Sequence, residues 1–234
     1  MSSSKSGLFI FGLSTTAKSI FTFVTKYKLY EVKGFLVDLN FKNTNSFCDI
    51  PVYGFEENKE VENFNIETDQ LFIAIQWNNV NADRRKVYEK FKRLGYKLAN
   101  IISPNAIIHG EIIGDNCWVA DGVIIDTNAI VGSNVFVKSN AFIGNDCEIE
   151  DHSFIGAGSF IAGNCKIGEQ SFIGIKSTIF DNVTIGEKCI IGACSVVKRN
   201  VDNFSLIKTD IKYTISVYDS FTIEDKLNFK NNIR

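Results

Sequence analysis

The stretch IGNDCEIEDHSFIGAGSFIAGNCKIGEQSFIGIKSTIF, residues 143–180, places isoleucine at every sixth position. Followed outward, the same period holds seventeen times without exception, always with Ile or Val. The positions are Ile101, Ile107, Ile113, Val119, Ile125, Val131, Val137, Ile143, Ile149, Ile155, Ile161, Ile167, Ile173, Ile179, Ile185, Ile191 and Val197. A period of six fits neither an α-helix nor a simple hairpin meander. It predicts short strands, each pointing a large and a small side chain inward and often turning at glycine.

Three such strands would form one triangular coil of 18 residues. Residues 18 apart then lie on adjacent coils, about 4.8 Å from each other. Residues 101–200 are long enough for between five and six coils of this kind. The second half of the chain is therefore predicted to be a stack of parallel coils.

Four of the six cysteines fall on the small inward position of this register, where a thiol behaves as a small hydrophobe. They are Cys117, Cys147, Cys165 and Cys189. Cys147 and Cys165 are 18 apart, so a disulfide between them is geometrically feasible, although a reducing compartment disfavours it. The chain has no CxxC pair or Cys/His cluster with zinc spacing, and we predict no metal site.

The composition is that of a soluble globular protein, with 45% hydrophobic and 22% charged residues in a chain of 234. A net charge of −2 offers no broad attraction for nucleic acid or an anionic membrane surface. The first residues, MSSSKSGLFIFG, lack the long apolar region of a signal peptide, and no later run is apolar enough to span a membrane. We therefore expect a cytoplasmic protein that acts on a small molecule or another protein.

The first hundred residues alternate between two apolar patterns. LFIF (8–11), GFLVD (34–38) and LFIAI (71–75) predict strands, and helices are predicted after Gly12 and over residues 83–95. This alternation indicates a small parallel α/β unit over residues 1–100, followed by the coils over 101–201 and a tail over 202–234. A strand, glycine and helix in succession also present free backbone N–H groups to an anion.

Together, the α/β unit and the repeat [Ile/Val]-Gly-x-x-[small]-x resemble the hexapeptide-repeat acyltransferases. The resemblance is to bacterial nucleotide-sugar N-acetyltransferases and sialic-acid O-acetyltransferase-like proteins, and it covers about residues 7–200. It implies a Rossmann-like domain joined to a left-handed parallel β-helix, with the handedness known only from the resemblance. It also implies acetyl-CoA or another acyl-CoA as co-substrate, a nucleotide-linked amino sugar as acceptor, a homotrimer, no metal, and a role in surface-glycan biosynthesis.

The resemblance assigns a nucleotide-sugar site to three loops of the α/β unit. The matching residues are Gly12, Ser14, Thr15 and Thr16 in the first loop, Asp38 after the second strand, and Gln76 after the third. Thr15 and Thr16 stand where the family usually has Gly-His, and Gln76 where it has glycine. Alternative interpretations are a solvated strand end for Asp38 and simple helix capping for the first loop.

The family's catalytic motif, His-(Asp/Glu)-Cys-x-Ile-(Gly)-(Asp/Glu)-Phe-x-His, aligns without a gap with residues 145–154. Asn145 replaces the catalytic histidine, Asp146 is its acidic neighbour, and Phe154 replaces the histidine that the family places near the thioester. An amide cannot accept a proton as a base. His152 lies elsewhere on the coil, and His109 lies 36 residues before Asn145, two coils away in the same column.

Three alternatives follow for the missing base: His152, Asp146, or no side chain at all. A sugar amine has a pKa of about 8 by analogy with an α-amino group, so it is partly neutral and can attack a thioester unaided. A hydroxyl needs an adjacent base. We therefore favour N-acylation, with Asn145 orienting the amine, over O-acylation. A catalytically silent nucleotide-sugar-binding homologue remains an alternative.

For the acyl donor, the resemblance implies contacts along the later coils. The matching residues are Phe154, Gly163, Gly174, Ile175 and Ala193. Glycine and aliphatic residues are also what the repeat itself requires. The family's closing Gly-x-Pro-Ala-Lys, which the family uses near the adenine end of the donor, is missing after Val201.

Overall fold

The computed structural model of the chain describes residues 7–57 and 59–209, which form an α/β unit followed by a parallel β-helix. This confirms the predicted fold class. No helix in these two ranges is long and apolar enough to cross a lipid bilayer. The α/β unit contains β1 (Gly7–Phe11), α1 (Thr15–Tyr27), β2 (Glu31–Asp38), a 3-10 turn (Leu39–Phe41), β3 (Ser46–Phe47), β4 (Ile50–Phe55), β5 (Gln70–Ile73) and α2 (Ala82–Arg93).

The sheet of the α/β unit has the order β3-β4-β2-β1-β5, and all of its pairs are parallel except β3 with β4. The alternating side chains of β1 divide its core. Leu8 and Ile10 pack on the side of α1, and Phe9 and Phe11 on the side of α2. The sequence analysis missed β3 and β4. Cys48 and Asp49, both with positive φ, join the two strands. β3 has only two residues, and Pro51 and Gly54 interrupt the apolar residues of β4 (IPVYGF).

The β-helix is built from two-residue strands. They are β6 (Ile101–Ile102), β7 (Ile107–Ile108), β8 (Glu111–Ile112), β9 (Trp118–Val119), β10 (Ile124–Ile125), β11 (Ile130–Val131), β12 (Phe136–Val137), β13 (Phe142–Ile143), β14 (Glu148–Ile149), β15 (Phe154–Ile155), β16 (Phe160–Ile161), β17 (Lys166–Ile167), β18 (Phe172–Ile173), β19 (Thr178–Ile179), β20 (Thr184–Ile185), β21 (Ile190–Ile191), β22 (Val196–Val197) and β23 (Leu206–Ile207). From β9 to β22 every pair joins residues 18 apart, as predicted.

The strands form three faces of a prism. The covered face (β6, β9, β12, β15, β18, β21, β23) carries the α/β unit, the second face is β7, β10, β13, β16, β19, β22, and the third face is β8, β11, β14, β17, β20. From Val119 to Val197 the aliphatic residues of the repeat fill the interior, together with the four predicted cysteines. All four thiols are free, and the Cys165 N–H donates to Cys147 Sγ at 3.4 Å.

The prediction that every sixth residue points inward and pairs with the residue 18 positions on is wrong in the first coil. Ile107 pairs with Ile124, seventeen positions on, whereas Ile125 pairs with Ile143, eighteen on. Ile107 and Ile113 are consequently 51% and 68% exposed, while their neighbours pack against the core (Ile102, Ile108 and Ile112). The cause is a short corner at residues 109–110, followed by a longer loop at 113–117 that restores the register. The same slip places His109 one position away from the column of Asn145.

The corners of the prism explain why asparagine is frequent there. From Asn116 to Cys194 each corner has a residue in the left-handed region, with φ between 55° and 64° at Asn116, Asn128, Asn134, Asp146 and His152. Asparagine and aspartate tolerate this conformation better than other non-glycine residues.

The division into domains at residues 100 and 201 stays a prediction, and β23 continues the β-helix beyond Val201. Residues 210–234 of the tail lie outside the described residues.

Candidate functional site

The three segments assigned to the nucleotide sugar meet at one edge of the sheet. Because β1, β2 and β5 are adjacent and parallel, Gly12, Asp38 and Gln76 all follow the carboxyl ends of these strands. Ligands bind at this edge in open α/β sheets. Gly12 has φ +115° and donates its N–H to the Leu36 carbonyl at 2.8 Å, a conformation that favours glycine.

The first loop does two things at once. Ser14 is the N-cap of α1, and its hydroxyl accepts from the Ala17 N–H and donates to the Ala74 carbonyl, each at 3.4 Å. Thr15 is exposed, whereas Thr16 is buried and its Oγ1 has no hydrogen-bond partner within the described part of the chain. Capping by Ser14 is therefore real, and it leaves backbone N–H groups of the first turn directed at the sheet edge. Such a helix start favours an anion.

Asp38 is more than a solvated strand end. Its Oδ1 pairs with Lys90 Nζ of α2 at 2.7 Å, and Lys90 in turn lies over the rings of Phe55 and Phe91 at 4.7 and 5.0 Å. The ion pair fixes one carboxylate oxygen at the sheet edge. Gln76 is exposed, and its neighbour Trp77 packs on Phe172 of the covered face with ring centroids 4.8 Å apart.

Asn145 and Asp146 lie exposed at the open corner, which we define as the corner between the second and third faces. Asn145 Nδ2 donates to Asp146 Oδ2 at 2.7 Å, and Asn128 Nδ2 donates to Asp146 Oδ1 at 3.0 Å. Hydrogen bonds from Asn128 and Asn145 hold the pKa of the Asp146 carboxyl below its usual value. Both oxygens of Asp146 are thus engaged, so it is better suited to hold the Asn145 amide than to act as a base.

Gly163 lies directly after Asn145 in the same column, one coil on, and the next residue of that column is Asp181. The Gly163 N–H donates to Asp181 Oδ1 at 3.1 Å. Asp181 is exposed. The sequence analysis did not consider Asp181, although its position 36 residues after Asn145 could have indicated it.

His152 cannot supply the missing base. It lies in the buried corner between the third and covered faces, only 4% exposed, beneath α2. Its Nδ1 is 2.9 Å from Asn134 Nδ2, and the Tyr88 ring lies 5.2 Å away. Burial lowers the pKa of His152 to about 4. The ring is neutral, enclosed and on another corner from Asn145, so the alternative that makes it the base is wrong.

The residues assigned to the acyl donor lie at three different places on the prism. Phe154 is buried on the covered face, where it stacks on Phe172 at 5.2 Å. Gly174, Ile175 and Ala193 lie at the third corner, between the covered and second faces, where Ile175 is 53% exposed. Gly163, in contrast, lies at the open corner. Because the open corner is opposite the covered face, one chain alone does not bring Asn145 and Phe154 together.

Comparisons with known proteins agree with this architecture. The family model for bacterial transferase hexapeptide (six repeats) matches residues 128–163 and 164–199, and that for the hexapeptide repeat of succinyl-transferase matches residues 105–127. No curated protein sequence matches the chain significantly.

Solved structures match both parts of the chain. A histidine-to-asparagine variant of perosamine N-acetyltransferase from Caulobacter crescentus, in complex with CoA and GDP-perosamine, is 25% identical with a TM-score of 0.72, covering 86% of this chain and 92% of that one. The acetyltransferase domain of PglB from Neisseria gonorrhoeae, in complex with acetyl coenzyme A, is 21% identical with a TM-score of 0.73, covering 86% and 95%. The second match bears on the fold alone.

Proposed function

We propose that this chain, a hexapeptide-repeat protein similar to the nucleotide-sugar N-acetyltransferases, transfers an acyl group from acyl-CoA to the amine of a nucleotide-linked amino sugar. The observation that carries the proposal is a likeness that includes the α/β unit and the β-helix together. The perosamine N-acetyltransferase structure matches over 92% of its own length and holds CoA and GDP-perosamine. Acetyl is the acyl group we expect first.

The α/β unit is suited to the nucleotide end of the acceptor. A diphosphate carries negative charge, and the start of α1 offers N–H groups and the positive end of the helix dipole. Gly12 lets the backbone approach closely, while Ser14, Thr15 and Thr16 line the helix start. We assign Asp38, held by Lys90, and Gln76 to the sugar and base of the nucleotide.

The open corner supports transfer to nitrogen rather than to oxygen. Neither histidine is within reach of Asn145: His109 is exposed at the same corner but two coils away, about 10 Å by strand spacing, and His152 is buried at another corner. Asn145 itself cannot take a proton. A neutral amine attacks the thioester carbon with its own lone pair, so the carbon–nitrogen bond forms and the carbon–sulfur bond breaks. The amine proton leaves, CoA is released as the thiol, and the product is an amide. General-base help of the kind that the family's histidine supplies contributes about 10²–10⁴-fold, and positioning can offset part of its loss.

The opposite placement of the two groups of predicted residues supports an active site shared between copies. If the open corner of one protomer meets the third corner of a neighbour, Asn145 and the half-exposed Ile175 contribute to the same cleft. Closed rotational symmetry with three copies satisfies this contact for every protomer. The second face, with Phe142 stacked on Phe160 at 4.5 Å and Phe160 46% exposed, offers apolar surface for such packing. We therefore propose a homotrimer.

The absence of both family histidines also favours a second candidate, a silent homologue that binds the nucleotide sugar without turnover. One experiment separates the two. The protein is incubated with acetyl-CoA and UDP-, dTDP- and GDP-linked amino sugars, GDP-perosamine among them, and thiol release and the acetylated product are measured. The same nucleotide sugars with a hydroxyl in place of the amine are the control. If a nucleotide sugar raises the melting temperature but no combination of acetyl-CoA and nucleotide sugar releases thiol, the protein is the silent homologue.

A complementation experiment tests the shared site. Asn145→Ala removes the amide at the open corner, and Ile175→Glu places a negative charge where the donor phosphates are expected. Each variant alone is expected to be nearly inactive. In trimers reassembled from equal amounts of the two variants, about a quarter of the sites should be active. In these sites the open corner comes from an Ile175→Glu chain and the third corner from an Asn145→Ala chain. Mixing that restores no activity would place the whole site within one chain.

A further inference from the structure

The open corner contains a gap that faces two side-chain oxygens. Successive coils stack there, because the Asn164 N–H bonds to the Asn145 carbonyl at 2.8 Å and the Asn182 N–H to the Gly163 carbonyl at 3.0 Å. The column of side chains therefore runs from Asn145 through Gly163 to Asp181. Gly163 contributes no side chain, so the space between its two neighbours in the column stays open.

The two oxygens converge on one position above Gly163. Asn145 Oδ1 lies 2.8 Å, and Asp181 Oδ1 3.5 Å, from the point that a Cβ on Gly163 would occupy. The Asn145 amide is oriented by its Nδ2 bond to Asp146, and no hydrogen bond from the described ranges reaches its Oδ1. Asp181 uses Oδ1 to accept from Gly163, and its Oδ2 has no partner within residues 7–57 and 59–209.

We propose that this gap is the amine subsite, in which Asn145 Oδ1 and the Asp181 carboxylate accept hydrogen bonds from the amine of the acceptor, and Asp181 takes its proton. The proposal rests on the proposed function and names the residue that replaces the missing base. A neutral amine has two N–H donors and a lone pair, so it satisfies both oxygens and still attacks. A hydroxyl has one donor and leaves one oxygen unpaired. The pair of acceptors therefore selects nitrogen over oxygen.

Asp181 fits the proton transfer better than Asp146 does. Asp146 already accepts from Asn128 and Asn145, and its carboxylate orients the amide. As the amine attacks, its nitrogen becomes positive and its protons become acidic, so a carboxylate within hydrogen-bond reach can accept one. Asp181 becomes a carboxylic acid, and CoA leaves as a thiolate. The proton then passes to the thiolate directly or through water, which yields the amide and CoA thiol and restores the carboxylate.

The test compares Asp181→Asn with Asp151→Asn as the matched control. Asp151 makes the same coil-to-coil contact at another corner, where its Oδ1 accepts from the Ser133 N–H at 2.7 Å. We expect Asp181→Asn to lower kcat/KM for the amino sugar about 10²–10⁴-fold, the range for loss of general-base help. Asp151→Asn should retain kcat/KM within about threefold, because surface substitutions outside a site have small effects. Gly163→Ala, whose Cβ would fill the gap, should also lower kcat/KM without lowering thermal stability.

A binding measurement gives a readout that does not require turnover. Calorimetry compares GDP-perosamine with the same nucleotide sugar carrying a hydroxyl in place of the amine. Wild type and Asp151→Asn should prefer the amine, and Asp181→Asn should lose that preference. Unchanged kcat/KM together with unchanged preference in Asp181→Asn overturns the assignment of Asp181 and leaves the proposed function standing. A third outcome is also informative. If the wild type transfers no acyl group, yet only Asp181→Asn loses the preference for the amine, the proposed reaction is wrong and the amine subsite stands.

Discussion

Two corners of the same prism hold the same kinds of residue in opposite environments. The open corner exposes Asn145, Asp146 and Asp181, whereas the buried corner encloses Asn116, Asn134 and His152 under α2. Both follow from one repeat and both have residues in the left-handed region. The repeat therefore accounts for the polar residues at both of these corners. Only the packing of the α/β unit determines whether that residue is available to a ligand.

The buried corner uses its polar groups to join the two parts of the chain. Asn116 Oδ1 accepts from the Ile73 N–H at 2.8 Å, and Asn116 Nδ2 donates to Asn134 Oδ1 at 2.7 Å. Arg84 of α2, fully buried, donates through one nitrogen to the carbonyls of Asn134, His152 and Ser153 at 2.9 to 3.2 Å. Burial lowers the pKa of Arg84 to about 9. These contacts are structural, since every one is enclosed.

The largest effect in this comparison is expected from Arg84→Ala. It removes the Arg84 donor from the carbonyls of Asn134 and His152, and it removes the stacking of the guanidinium 4.2 Å above the Phe136 ring. We expect the free energy of unfolding to fall by about 3 to 4 kcal/mol. Chemical denaturation at fixed protein concentration measures the change. A loss below about 1 kcal/mol would mean that the guanidinium costs as much to bury as it contributes.

His152 should make stability depend on pH. Burial lowers its pKa from 6.5 to about 4, so the folded state binds the proton more weakly than the unfolded state does. The contribution is fully present above pH 6.5 and is lost as pH falls from 6.5 to 4, by up to about 3 kcal/mol. His152→Gln, which has no titrating ring, should show a shallower fall across this window in denaturation measurements. If the stabilities of the wild type and His152→Gln fall equally between pH 6.5 and 4, His152 is not the cause of the pH dependence.

The two asparagines Asn134 and Asn145 offer a crossed test of the comparison. Asn134→Ala should lower the free energy of unfolding by about 2 kcal/mol, because it leaves buried partners unpaired, and should spare turnover. Asn145→Ala should leave stability unchanged and lower kcat about 10²-fold, equivalent to about 2.7 kcal/mol. Denaturation and thiol-release assays on both variants check this. Equal effects of the two substitutions on stability would remove the distinction between the corners.

The smallest effect is expected at the rim of the buried corner. Lys92 Nζ pairs with Asp115 Oδ2 at 2.6 Å, and the Lys92 side chain is 45% exposed. Lys92→Ala should cost about 0.5 kcal/mol, since ion pairs open to water contribute little. Thermal unfolding in low and high salt would show this small difference shrinking as salt is added. A loss as large as that of Arg84→Ala would mean that the rim is far less solvated than its exposure suggests.

Much of the fold could be predicted because the six-residue period is a local property. Each coil repeats the same strand and turn, so the inward position of residues such as Val137 or Cys165 follows from counting. The first coil was misjudged because the isoleucines continue at sixes while the corner at residues 109–110 is shortened. β3 and β4 were missed because β3 has only two residues and because Pro51 and Gly54, which strands disfavour, interrupt the apolar residues of β4.

The candidate site, like the fold, has features that the sequence determined and features that only the tertiary structure decided. The sequence by itself determined the β-helix, its interior and the left-handed corners, since aliphatic spacing and backbone sterics act within a few residues. The tertiary structure decided that His152 is enclosed by α2, that Asp38 pairs with Lys90, and that Asp181 and Asn145 face one gap. Those outcomes depend on contacts between residues far apart in the chain, where burial and desolvation determine which polar groups remain available for chemistry.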